Sequence, residues 1–65
     1  MSKYAPARED GLKPYVVTLV GWGRESFRIR YAHTSSEARS SYRLGIGEYI
    51  KAVRRATPED IARRQ

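Results

Sequence analysis

Glu48-Tyr49-Ile50-Lys51-Ala52-Val53-Arg54-Arg55-Ala56 decides the fold, because it reads in two ways. Ile46, Tyr49, Ile50 and Val53 recur at helical spacing, which suits an amphipathic helix. Read as a strand, the segment turns Ile50 and Ala52 inward and Tyr49, Lys51, Val53 and Arg55 outward. The strand is preferred for what it would join: two strands precede it, and an isolated hairpin is marginally stable in water. The helix stays open as the competing assignment.

The two preceding strands are plainer. Tyr15-Val16-Val17-Thr18-Leu19-Val20 is rich in β-branched and aromatic residues. Gly21-Trp22-Gly23-Arg24-Glu25 supplies turn chemistry, and a second strand spans about Ser26 to Ala32. Together they predict an antiparallel hairpin. Within the second strand Phe27-Arg28-Ile29-Arg30-Tyr31 alternates with period two. That pattern predicts Phe27, Ile29 and Tyr31 in the core and Arg28 and Arg30 on the outer face. Thr34-Ser35-Ser36-Glu37 has capping-box spacing. It predicts a helix from about Ser35 to Leu44, with Ala38, Ser41 and Tyr42 inward, Arg39 and Arg43 outward, and Gly45 ending it in the left-handed conformation. Thr57-Pro58-Glu59-Asp60 starts a last short helix that carries Arg63 and Arg64 at its end. The expected fold is α+β: an antiparallel β-hairpin plus helix, a third strand (ββαβ) and a short C-terminal helix. Residues 1–13, with Pro6, Gly11 and mixed charges, read as a flexible arm; residues 14–65 read as one small domain.

Sixty-five residues bury only about 60% of the unfolded chain's surface, so the core is small. There is no Cys, which excludes disulfides and thiolate zinc sites, and His33 is the one histidine. No metal or other cofactor is expected. Self-association, as a homo-dimer or within a larger assembly, is the remaining route to reinforcement. No apolar run approaches the roughly 18 residues that span a bilayer, and the first residues lack a signal-peptide apolar region. The chain reads as soluble and cytoplasmic. Thirteen Lys and Arg against seven Asp and Glu give a net charge of +6, and ten of the thirteen are Arg. Arginine forks pair bidentately with phosphates and carboxylates, although GC-rich codons also raise Arg over Lys. Most of the excess lies between residues 24 and 55, where eight basic residues meet three acidic ones.

In a ββαβ sheet, Arg28 and Arg30 would share an uncovered face with Tyr49, Lys51 and Arg55. Cations beside an aromatic ring suit nucleic acid, with charges for phosphates and a π-face for a base. An ordinary solvated sheet face has the same composition. Arg39 and Arg43, four apart on the helix, form a secondary candidate site, with Ser35 and Ser36 at its start as caps or as anion ligands. Trp22, between two glycines, can protrude as a protein-interaction anchor or fold back over Tyr15 or Tyr31. His33 stands at an element boundary with no nucleophile at a recognised spacing, and no pair of carboxylates is set for acid–base work. No catalytic residue is assigned.

Arg30-Tyr31, Ala38-Arg39, Tyr42 and Val53-Arg54-Arg55-Ala56 together resemble small proteins encoded by bacteriophages and prophages, over roughly residues 15 to 56. The resemblance implies a viral or prophage origin and the ββαβ order, and it implies no activity. From the residues themselves the expected function is a non-catalytic nucleic-acid-binding accessory protein using a basic sheet face. The alternative is a protein-interaction module, either a host-factor modulator or a virion assembly component, binding an acidic protein surface.

Overall fold

The computed structural model describes residues 3–63. Along the chain it contains β1 (Lys13–Gly21), β2 (Arg24–Ala32), α1 (Ser35–Ser41), β3 (Glu48–Arg55) and α2 (Pro58–Arg63). The three strands form one antiparallel sheet in the order β2-β1-β3, so the fold is α+β and the segment from Glu48 is a strand. β1 lies in the middle and is buried from Pro14 to Leu19. That explains its largely apolar run, broken only by Thr18, since a strand covered on both faces has no need to alternate.

The β1–β2 turn fixes which side chains go where. Trp22 (φ 55°) and Gly23 (φ 73°) both adopt positive φ, as a two-residue type I′ turn requires. Gly21 therefore pairs with Arg24, Leu19 with Ser26, Val17 with Arg28 and Tyr15 with Arg30. Cross-strand partners share a face, so Arg28 and Arg30 stand beside the largest apolar residues of β1. α1 packs on that same face, closing a core of Tyr15, Ala32 and Ala38 with Val53 against it. The expected orientation of β2 is thus reversed. Phe27, Ile29 and Tyr31 project from the opposite side, where Phe27 is 59% exposed. A register one residue different exchanges every side chain between faces, and the short turn selects this one.

β3 carries a second device. Val17 pairs with Val53 and Thr18 with Ala52, but Leu19 pairs with Ile50, leaving Lys51 as the extra residue of a β-bulge. Ile50, Val53 and Arg55 consequently face α1, while Tyr49, Ala52 and Arg54 face the other way. The inward pair is Ile50 and Val53, rather than Ile50 and Ala52.

Thr34 caps α1, its Oγ1 accepting from the Glu37 amide at 3.1 Å, and Glu37 reaches back to the His33 amide at 3.4 Å. The helix ends at Ser41, short of Leu44, because Tyr42 turns extended (φ −86°, ψ 127°). Ala38 is fully buried and Tyr42 half-buried, whereas Ser41 is exposed. The left-handed glycine of this connection is Gly47 (φ 81°), not Gly45. In α2, Thr57 and Asp60 form a reciprocal cap: Thr57 N donates to Asp60 Oδ2 at 2.8 Å and Asp60 N to Thr57 Oγ1 at 3.3 Å. Arg63 closes the helix as expected, and Arg64 lies outside the described residues.

The segment expected to be a flexible arm is docked at Ala5, which is 2% exposed and donates its amide to the Ala56 carbonyl at 2.9 Å. Among the described residues no helix is long and apolar enough to cross a membrane.

Candidate nucleic-acid interface

The sheet has two unlike sides. On the α1 side, β2 presents Arg24, Arg28 and Arg30, and the helix and its exit add Arg39 and Arg43. All five are exposed, and none forms an ion pair among the described residues. The Arg30 guanidinium stacks over the Tyr42 ring at 4.7 Å, and Arg28 Nη1 donates to its neighbour's carbonyl, Phe27 O, at 3.0 Å. Two carboxylates share this side, and both are engaged by backbone amides. Glu37 accepts from His33 N, and Glu48 Oε1 accepts from Gly45 N at 2.6 Å. Net positive charge remains on this side.

The opposite side is balanced. Lys51 Nζ lies 3.2 Å from Glu25 Oε2. Arg54 makes a bidentate pair with Asp60, at 2.8 and 3.0 Å. Arg63 and Glu59 pair across one turn of α2 at 3.7 Å. The hydrogen bonds from Arg54, then from the Thr57 amide, hold the Asp60 carboxyl well below the usual carboxylate range. The same Asp60 bond raises the Arg54 guanidinium above its ordinary value.

These two sides rearrange the residues expected from sequence. Arg28 and Arg30 do share a side, and it is α1's side, so the sheet and helix arginines that sequence treats as two sites fall together. Lys51 and Tyr49 lie across the sheet from them, since Tyr49 pairs with Val20 and Lys51 reaches Glu25, the residue opposite Val20 on β2. They extend no patch with Arg28. Arg55 shares the α1 side but is half-buried: Nη2 donates to the Ala5 carbonyl at 2.9 Å, and its guanidinium lies over Tyr4 at 5.8 Å. Its Nε is buried with no hydrogen-bond partner. Arg55 anchors the N-terminal segment and is not placed to grip a phosphate.

Sequence reasoning missed Arg24 and Tyr42. Arg24 falls at the end of a turn read as five residues long; a two-residue reading makes it the first residue of β2. Tyr42 was expected inside the core, where instead it backs Arg30. Trp22 does not fold over Tyr15 or Tyr31. It is 81% exposed at the hairpin tip, its indole beside Gly47. His33 adjoins Gly11, and among the described residues no three His, Asp or Glu side chains converge as a metal-ligand set. No family model, no curated protein and no solved structure matches this chain.

Proposed function

We propose that this chain is a non-catalytic nucleic-acid-binding accessory protein, of phage or prophage origin and acting in the host cytoplasm, with the α1 side of its sheet as the binding surface. The observation that carries the proposal is the segregation of charge. The ion pairs of β3 and α2 lie on the far side, while Arg24, Arg28, Arg30, Arg39 and Arg43 have no carboxylate partner among the described residues. Unpaired guanidinium forks fit phosphate oxygens bidentately, and displacement of condensed counterions then drives binding. Tyr42 beneath Arg30 fixes that fork's plane, which lowers the ordering cost of a contact.

The test is an electrophoretic mobility series with double-stranded DNA, single-stranded DNA and RNA at two salt concentrations. Binding should occur at low salt and be weakened in Arg28→Ala with Arg30→Ala. Unchanged affinity in that variant refutes the proposal. A second reading rests on Trp22, whose 81% exposure suits an anchor for a protein partner. A partner captured from host lysate after nuclease treatment, and lost with Trp22→Ala, would favour it.

A further inference from the structure

We propose that the end of the molecule formed by the β1–β2 hairpin tip and the 43–47 loop docks on an anionic lipid surface, an inference independent of the nucleic-acid reading. Two tight turns lie side by side at this end, because Gly21 of β1 pairs with Glu48 of β3. One is the hairpin turn, with Trp22 as its first central residue. The other is Gly45-Ile46-Gly47-Glu48. There the Glu48 amide donates to the Gly45 carbonyl at 3.2 Å and Gly47 takes φ 81°, as a type II turn requires, so Ile46 is its first central residue. The two turns touch, with the Trp22 indole beside Gly47.

The centres of such turns usually carry Gly, Asn, Asp, Ser or Pro. Here one carries a tryptophan that is 81% exposed and the other an isoleucine that is 91% exposed. Leu44, at 45%, belongs to the same loop as Ile46, and Tyr49, at 57%, to the same end of the sheet through its pairing with Val20. The type II turn is tied in place: Glu48 Oε1 accepts from the Gly45 amide at 2.6 Å, and a Cβ on Gly45 would stand 2.7 Å from that oxygen. Trp22 holds a left-handed conformation that its residue type disfavours. The fold thus presents four large apolar side chains at one end, none of them in the buried core, and it accepts backbone strain in doing so.

Shape and charge choose the occupant. Side chains standing on two turns make a protruding end rather than a groove. A folded partner would need a pocket cut to each of them, whereas a bilayer interface yields around an inserted side chain. The residue types suit that interface, with Trp and Tyr at headgroup level and Leu and Ile at the acyl boundary. Nucleic acid would leave Leu44 and Ile46 without a role, since aliphatic side chains offer a base no stacking plane. Arg24 follows the hairpin turn and Arg43 precedes Leu44, both exposed and without a carboxylate partner among the described residues. The carboxylates at this end are engaged, Glu25 with Lys51 and Glu48 with the Gly45 amide. Apolar tips backed by unpaired guanidinium groups complement anionic headgroups over acyl chains.

The test mixes the full chain, after nuclease treatment, with vesicles of phosphatidylcholine alone or of phosphatidylcholine with phosphatidylserine. The chain should sediment with the phosphatidylserine vesicles, less so as salt rises, and only weakly with phosphatidylcholine alone. Trp22, the chain's one tryptophan, reports insertion without any variant: its emission should shift to the blue on the phosphatidylserine vesicles. Leu44→Ser with Ile46→Ser, both at exposed positions, should weaken partitioning at least about tenfold. A chain that ignores phosphatidylserine vesicles overturns the proposal, and a protein partner held through Leu44 and Ile46 in their place would explain the same end. Sedimentation with no shift in Trp22 emission also overturns it, because net charge alone would then account for adsorption. So does a folded Leu44→Ser, Ile46→Ser variant that partitions as the parent does.

Discussion

If the α1 side binds nucleic acid, the salt dependence of binding counts its arginines. Each neutralised phosphate steepens log K against log salt by about 0.9 on duplex DNA and about 0.7 on single strands. With Arg24, Arg28, Arg30, Arg39 and Arg43 all engaged, the slope should approach about −4.5 on duplex DNA. Raising salt from about 50 to about 200 mM then weakens binding roughly 500-fold, or roughly 130-fold on a single strand. Arg28→Ala with Arg30→Ala should reduce the duplex slope to about −2.7, so the same salt step costs only about 40-fold. Lys51→Ala, across the sheet and paired with Glu25, should leave the slope unchanged. Fluorescence anisotropy with a labelled oligonucleotide, titrated at four or more salt concentrations, measures all three proteins. A slope that falls as far with Lys51→Ala as with the arginine pair would refute the two-sided picture, because binding would then follow net charge alone.

Two further outcomes test the local structure. Asp60 is held well below its ordinary range by Arg54 and the Thr57 amide, whereas in the unfolded chain it titrates near 4. A depressed folded pKa stabilises the native state above the unfolded value, and the stability is lost as pH falls below about 4. Urea unfolding followed by circular dichroism should therefore show an acid-side loss that is smaller in Asp60→Asn; an identical pH profile would show that the pair contributes nothing. Trp22 occupies a left-handed position that costs a non-glycine L-residue about 1–2 kcal/mol, and that asparagine tolerates. Trp22→Asn, unfolded at low protein concentration, should raise stability by about 1 kcal/mol, and a lower urea midpoint would show that the indole's contact with Gly47 outweighs the turn.

Element order was legible in the sequence because each element carries a local signature: β-branched run, turn glycine, threonine cap, proline at a helix start. Facing was not, and the reasons are particular. Alternation in Phe27 to Tyr31 says that two sides differ without saying which is covered. In β2, residues on both faces are exposed, Phe27 and Tyr31 on one and Arg28 and Arg30 on the other, so composition commits neither face. The covered side is chosen by β1, through a turn whose length depends on Trp22 accepting positive φ, a conformation that the residue type argues against. The binding surface inherits that uncertainty. Arg28, Arg30, Arg39 and Arg43 were each legible as exposed cations, but their common side follows from the register and from where α1 lands.

The double reading of Glu48 to Ala56 has a structural cause, and it leads to a sharper test. A regular strand would separate inward residues by two, yet Ile50 and Val53 both face α1 across an interval of three, because Lys51 is the bulge residue. An interval of three is what a helix shows, so the bulge itself produced the ambiguity. It also arranges the charges. Without the extra residue's offset, Lys51 would pair with Leu19 on the α1 side, and Ile50 would leave the core side to stand beside Val20. Deleting Lys51 should therefore be tolerated: Thr18 keeps Ala52, Leu19 keeps Ile50, and only an exposed ion pair worth about 0–1 kcal/mol is lost. Deleting Val53 keeps the bulge and removes an inward side chain, which shifts Arg54 and Arg55 onto each other's faces and breaks the Arg54–Asp60 pair. Urea unfolding of the two deletions should show the first close to the parent and the second severely destabilised. Equal losses would mean that the bulge is not what sets the faces of β3.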